Sequence, residues 1–217
     1  MWDDDPFGRA RTRAASVRSG GRMAAGLAAA ACLLASISCN DLVQASRAST
    51  ILVIERIGAA QGGTSDDPIP TLLNSDVLTN GGVFPDIARV TTRLAFKAPG
   101  TSENPASPTS ANWITITGYR VVYRRSDGRD TPGVDVPFPF EGGMTMTTID
   151  IGTAEFTLVR AQAKLEEPLI SLRNLGGGLA LSVVAEITFT GHDQTGAATS
   201  ADGTIGINFA DFADAGS

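Results

Sequence analysis

Cysteine, histidine and aromatic side chains are scarce in this 217-residue chain, which holds two cysteines, one histidine and 6% aromatics. Both cysteines, Cys32 and Cys39, fall within the first 40 residues. The remaining chain can therefore form no internal disulfide and no cysteine-based metal site, and its stability must come from packing. Positive charge is also in deficit after Cys39, with 20 acidic against 12 basic residues and a formal charge near −8. That balance argues against nucleic acid, and against electrostatic adhesion to anionic lipid, because phosphate binding needs clustered cations. No uncharged apolar run is long enough to span a bilayer. Residues 23–37 come nearest, whereas a spanning helix needs roughly 20 apolar residues. The motif Gly-x-Ser-x-Gly is absent, so no nucleophile elbow is encoded.

The arrangement around that short run is informative. Arg9, Arg11, Arg13, Arg18 and Arg22 precede it, and Met23-Ala-Ala-Gly-Leu-Ala-Ala-Ala-Ala-Cys-Leu-Leu-Ala-Ser-Ile-Ser-Cys39-Asn40 ends in small residues before a cysteine. A basic segment, a short apolar segment and a small-residue processing site are the parts of an export signal. The pattern resembles a bacterial lipoprotein signal peptide, with Ser36 standing where that family usually carries leucine. The resemblance implies that Cys39 is diacylated and becomes the mature N-terminus, tethering the protein to a membrane of the cell envelope. Processing at Cys32, an ordinary cut after Val43-Gln44-Ala45 that would release a soluble secreted protein, and an uncleaved anchor are the alternatives. The organisation expected is a disordered n-region and signal peptide over 1–38, a tether over 39–49, a folded domain over 50–212 and a disordered tail over 213–217.

Within the body, which is long enough for one sizeable core, the hydrophobic period is mostly two. Ile51–Ile57 predicts a first strand, and Ala59–Pro70, rich in Gly, Asp and Pro, predicts a long loop. Over Asp86–Lys97, Ala88, Val90, Thr92, Leu94 and Phe96 share one face while Arg89, Thr91, Arg93 and Lys97 share the other. Trp113–Arg125 predicts a strand with a bulge or bend at Gly118. Val134–Phe140, with Pro137 and Pro139, suits an edge or irregular crossing, and Met144–Ile151 predicts a further strand. Phe156–Glu167 reads equally as a short helix or as extended chain. Leu179–Thr190 and Thr204–Phe209 predict the last two strands, joined by His192-Asp-Gln-Thr-Gly196 and a polar stretch to Gly203. Short strands, frequent turns and little helix predict an all-β, antiparallel sandwich with long loops. Two segments, Ile116-Thr-Gly-Tyr119-Arg-Val121-Val-Tyr123-Arg-Arg-Ser-Asp-Gly128 and Val183–Gly196, resemble strands of immunoglobulin-like and fibronectin type III modules. The resemblance implies a two-sheet Greek key and a role in adhesion, spacing or recognition.

No catalytic, cofactor-binding or metal-binding set emerges from the residues. His192 neighbours Asp193, but adjacent strand residues point to opposite faces, which suits a turn better than a base and its orienting carboxylate. Asp127, Asp130 and Asp135 lack the spacing and terminal glutamate of a helix-loop-helix calcium site, and Arg129 sits among them. Gly176-Gly-Gly178 lacks the lysine and hydroxyl residue of a phosphate-binding loop. Tyr119, Arg120, Tyr123 and Arg124 form the one local aromatic and basic patch, a candidate contact for an envelope protein or a polysaccharide. Alternation equally makes it an ordinary half-buried strand. The sequence therefore favours a non-enzymatic structural or recognition protein of the envelope. Its competitor is an envelope hydrolase acting on glycans through paired carboxylates, such as Glu166 or Glu186 with a loop aspartate.

Overall fold

Eight strands form two sheets in a computed structural model that describes residues 48–98, 100–107 and 109–212. Cys32, Cys39, most of the tether and the tail from 213 lie outside the described residues. The first sheet holds β1 (Thr50–Ala60), β3 (Asp86–Phe96) and β6 (Ile151–Val159) in the order β1-β3-β6, all antiparallel. The second holds β2 (Leu72–Asp76), β4 (Ile114–Arg125), β5 (Phe140–Thr148), β7 (Leu181–Asp193) and β8 (Ala198–Ala210) in the order β2-β8-β7-β4-β5.

Alternation determines what each strand buries. Along β7, Leu181, Val183, Ala185, Ile187 and Phe189 point inward between exposed or half-exposed neighbours. In β4 the register shifts between Ile116 and Gly118. The inward set accordingly changes parity, from Ile114 and Ile116 to Tyr119, Val121 and Tyr123. One extra residue in a period-two strand must have that effect. A second shift, between Ile54 and Arg56 in β1, does the same, from Thr50 and Leu52 to Ile57 and Ala59. The two sheets meet through aromatics: Phe156 of β6 lies 4.9 Å from Tyr119 and 5.3 Å, edge-on, from Phe189. Such pairs add to the area that they bury. Tyr123 ties the layers together by donating its hydroxyl proton to the Leu158 carbonyl at 2.7 Å.

Three expectations need correction, and one reading left open is resolved. The sandwich is mixed rather than antiparallel throughout, because β2 pairs parallel to β8 over Leu72–Asp76. The strand predicted over Met144–Ile151 is two strands in different sheets, broken at Ile149-Asp150. The polar stretch before Gly203 is not a connection but the first half of β8, paired to β7 from His192 onward. Phe156–Glu167 divides between the end of β6 and a 3₁₀ turn over Ala161–Leu165.

Two ends follow from the pairing. The chain enters beside the β3–β4 connection, the Ile149-Asp150 turn and the β7–β8 turn, with the Ala48 N–H bonded to the Ala198 carbonyl. The opposite end carries the segments 61–71, 77–85, 126–139 and 160–180.

Candidate functional site

The most heavily built polar cluster stands at the end opposite chain entry. Asp86 opens β3 where the pairing with β6 shifts register, and Lys164 lies in the 3₁₀ turn that follows β6. Lys164 Nζ is 2.7 Å from Asp86 Oδ1, and the two side chains are 1% and 0% exposed. The Gly62 N–H donates to the same oxygen at 2.8 Å, and the Ser75 hydroxyl donates to Oδ2 at 2.5 Å. Burial pushes the Asp86 carboxyl above its ordinary value, against the pull of the Lys164 charge and of these hydrogen bonds. Burial likewise raises the Tyr123 phenol, with the Asp86 charge adding to the effect. A serine, a carboxylate and a lysine in line suggest nucleophilic chemistry, yet Ser75 is 0% exposed and no substrate can reach its hydroxyl. What the cluster does is join three segments, 61–63, β2 and 160–166, to the start of β3.

That junction supports the wall of an open cleft of about 670 Å³. Its lining includes Gly62, Gly63, Asp66, Asp67, Phe84, Pro85, Arg89 and Glu155. Arg89 reaches Asp67 at 2.5 Å and Glu155 at 2.7 Å. A Cβ on Gly62 would fall 2.1 Å from the Pro85 carbonyl oxygen, and one on Gly63 2.7 Å from the Phe84 ring. Gly62 therefore requires glycine for its close approach to backbone, and Gly63 for its positive φ of 80°. Three carboxylates, Asp66, Asp67 and Glu155, line this cleft, but the Arg89 guanidinium bridges Asp67 and Glu155 where an acid and base would hold a sugar. The carboxylates considered from sequence are apart from it: Glu186 faces Arg124 at 3.4 Å, and Glu166 accepts from Gln162 at 2.8 Å.

The aromatic and basic patch divides by face. Tyr119 and Tyr123 are 7% and 1% exposed and belong to the core. Arg120 and Arg124 point outward, toward Glu141 and Glu186, each at 3.4 Å. Only the two arginines are available to a partner. Arg129 bridges Asp127 at 2.9 Å and Asp135 at 3.3 Å, which closes that loop on itself. His192 is exposed while Asp193 is buried. The Asp193 carboxylate accepts from Thr195 N–H, Thr195 Oγ1 and Ala197 N–H at 2.9, 2.6 and 3.0 Å. Burial alone pushes this carboxyl up, but these bonds outweigh it and hold it below its ordinary value. Asp193 thus builds the β7–β8 turn, while His192 is a strand residue of β7 paired with Thr115 and Ala198. Gly176 and Gly177 both adopt positive φ, at 55° and 74°, in a turn that leads to β7.

Among the described residues no group of three or more His, Cys, Asp or Glu is placed to hold a metal ion, and no helix is long and apolar enough to cross a membrane. Sequence reading missed Asp86 and Lys164. The segment Phe156–Leu165 also holds Thr157, Arg160 and Gln162, so nothing local singles out Lys164 as the buried charge. No protein-family model matches this chain, and no curated protein matches it.

Proposed function

We propose that the mature protein is a lipid-anchored recognition module of the bacterial cell envelope, built on an immunoglobulin-like sandwich and held to the membrane through Cys39. The strand order supports the immunoglobulin-like reading: a three-stranded and a five-stranded sheet, with the short β2 lying parallel to the final strand β8. The observation that carries the recognition role is where apolar side chains stand in solvent. Val134 is 69% and Leu179 60% exposed, and Phe84, Phe138, Leu165 and Leu175 each exceed 40%, all in segments at the end away from chain entry. Exposed apolar side chains gathered in loops on a rigid scaffold are the usual makings of a contact surface.

The test places a photo-crosslinking residue at Val134 or Leu179 in the native envelope, with exposed Thr153 on the outer face of β6 as the comparison. A discrete adduct at the two loop positions, absent at Thr153, is expected. Equal labelling at all three, or none at the loops, would contradict the assignment.

A further inference from the structure

We infer that the end at which the chain enters is a membrane seat, a small apolar surface that lies against the lipid bilayer. The inference rests on the lipid-anchor reading and extends it from where the protein is held to how it is oriented. Cys39 precedes Ala48 by nine residues, and an extended chain spans at most ~3.3–3.6 Å per residue, so the leash is no longer than about 30 Å. The N–H of Ala48 is bonded to the carbonyl of Ala198, at the β7–β8 turn. The leash therefore holds this end within about 30 Å of the bilayer surface.

The same end carries a mostly apolar groove of about 490 Å³, lined by Leu94, Phe96, Trp113 and Ile149 together with the polar Thr109, Ser110 and Asp150. Ile149 is 52% exposed. Ile51 and Ile151, 46% and 60% exposed, stand beside it on the outer face of the three-stranded sheet, where they pair with Ala95 and Arg93. A half-buried tryptophan at the rim of an exposed apolar surface suits the headgroup boundary, where the indole ring buries its body and keeps its N–H wet. Exposed Lys97, at the end of β3, can extend its ammonium to the headgroups.

The chemistry selects an uncharged, zwitterionic lipid surface. With a formal charge near −8 after Cys39, the body is repelled by anionic headgroups rather than drawn to them, so what holds the contact is apolar burial. Three half-exposed isoleucines are a weak site for a free protein. On a short leash the contact becomes intramolecular, at an effective concentration on the order of millimolar, and weak contacts are then populated. The contact surface proposed at the opposite end would thereby face away from the membrane. Along the 13 residues of β7 the two ends are about 40 Å apart at roughly 3.3 Å per residue.

Trp113 is the only tryptophan after Cys39, so its fluorescence reports on this end alone. The experiment reconstitutes the full mature lipidated protein into phosphatidylcholine vesicles with brominated acyl chains. Quenching and a blue shift of Trp113 emission are expected, with quenching lost in an Ile149→Asp, Ile151→Asp double variant that still floats with the vesicles. A protein that floats with its Trp113 unquenched would overturn the seat and leave the anchor standing. A protein that does not float would overturn both. Dimerisation in solution that the same two substitutions abolish would assign the surface to a second copy and overturn the seat.

Discussion

Replacing Lys164 with methionine is expected to destabilise the body by about 3–5 kcal/mol, because it leaves the Asp86 carboxylate buried without its cation. Equilibrium urea unfolding measures the loss. The loss should depend on pH with a definite sign. Burial already holds the Asp86 carboxyl above its ordinary 3.8, and removing the ammonium takes it higher. A carboxyl whose folded value is raised binds more protons in the native than in the unfolded state, so its contribution worsens as pH rises through that window. The difference between variant and parent should therefore shrink toward pH 4 and be largest near neutrality. The double replacement Asp86→Leu, Lys164→Met should recover much of the loss. Gly62 N–H and the Ser75 hydroxyl would still lack their acceptor, so recovery stays incomplete by about 1–3 kcal/mol for each donor left unpaired. A single Lys164→Met change within 1 kcal/mol of the parent at pH 7 would show that the pair is not held as described.

Phe189→Ala carries the other large effect. The side chain is fully buried at the centre of the aromatic contacts, 5.3 Å from Phe156 and 6.4 Å from Tyr119. Truncation removes its transfer energy and leaves a cavity that two rigid sheets close only in part, an expected loss of about 3–5 kcal/mol. Val184→Ala, five residues earlier on the outer face of the same strand and 37% exposed, should change stability by well under 1 kcal/mol. Urea midpoints should differ accordingly while the m-values stay equal. Similar losses at both positions would mean that β7 does not present the faces that its alternation implies.

Alternation was legible wherever a strand has one wet and one dry face. The edges of β3 and β4, and the bulge at Gly118, could be read directly from the residue pattern. Strand β2 could not. Its five residues, Leu-Leu-Asn-Ser-Asp, include three with poor strand propensity, and they are held by pairing to β8, more than 130 residues later. The break at Ile149-Asp150 carries neither glycine nor proline, so nothing local announces that the chain changes sheets there. The first half of β8 is polar because it is recruited by backbone pairing to β7 rather than by side-chain burial. Asp86 and Lys164 lie 78 residues apart, and only the packed fold makes them partners. The patch at Tyr119, Arg120, Tyr123 and Arg124 was divided correctly into faces by its period. Which face is inside depends on the facing three-stranded sheet, and Phe156 and Leu158 of that sheet place the tyrosines in the core.

The intact mass of the mature protein recovered from membranes, beside that of a Cys39→Ala version, tests the envelope-anchor reading most directly. A mass equal to residues 39–217 plus a diacylglyceryl group, lost together with membrane association in Cys39→Ala, is the expected result. An unlipidated product beginning near Ser46 in the soluble fraction would contradict it.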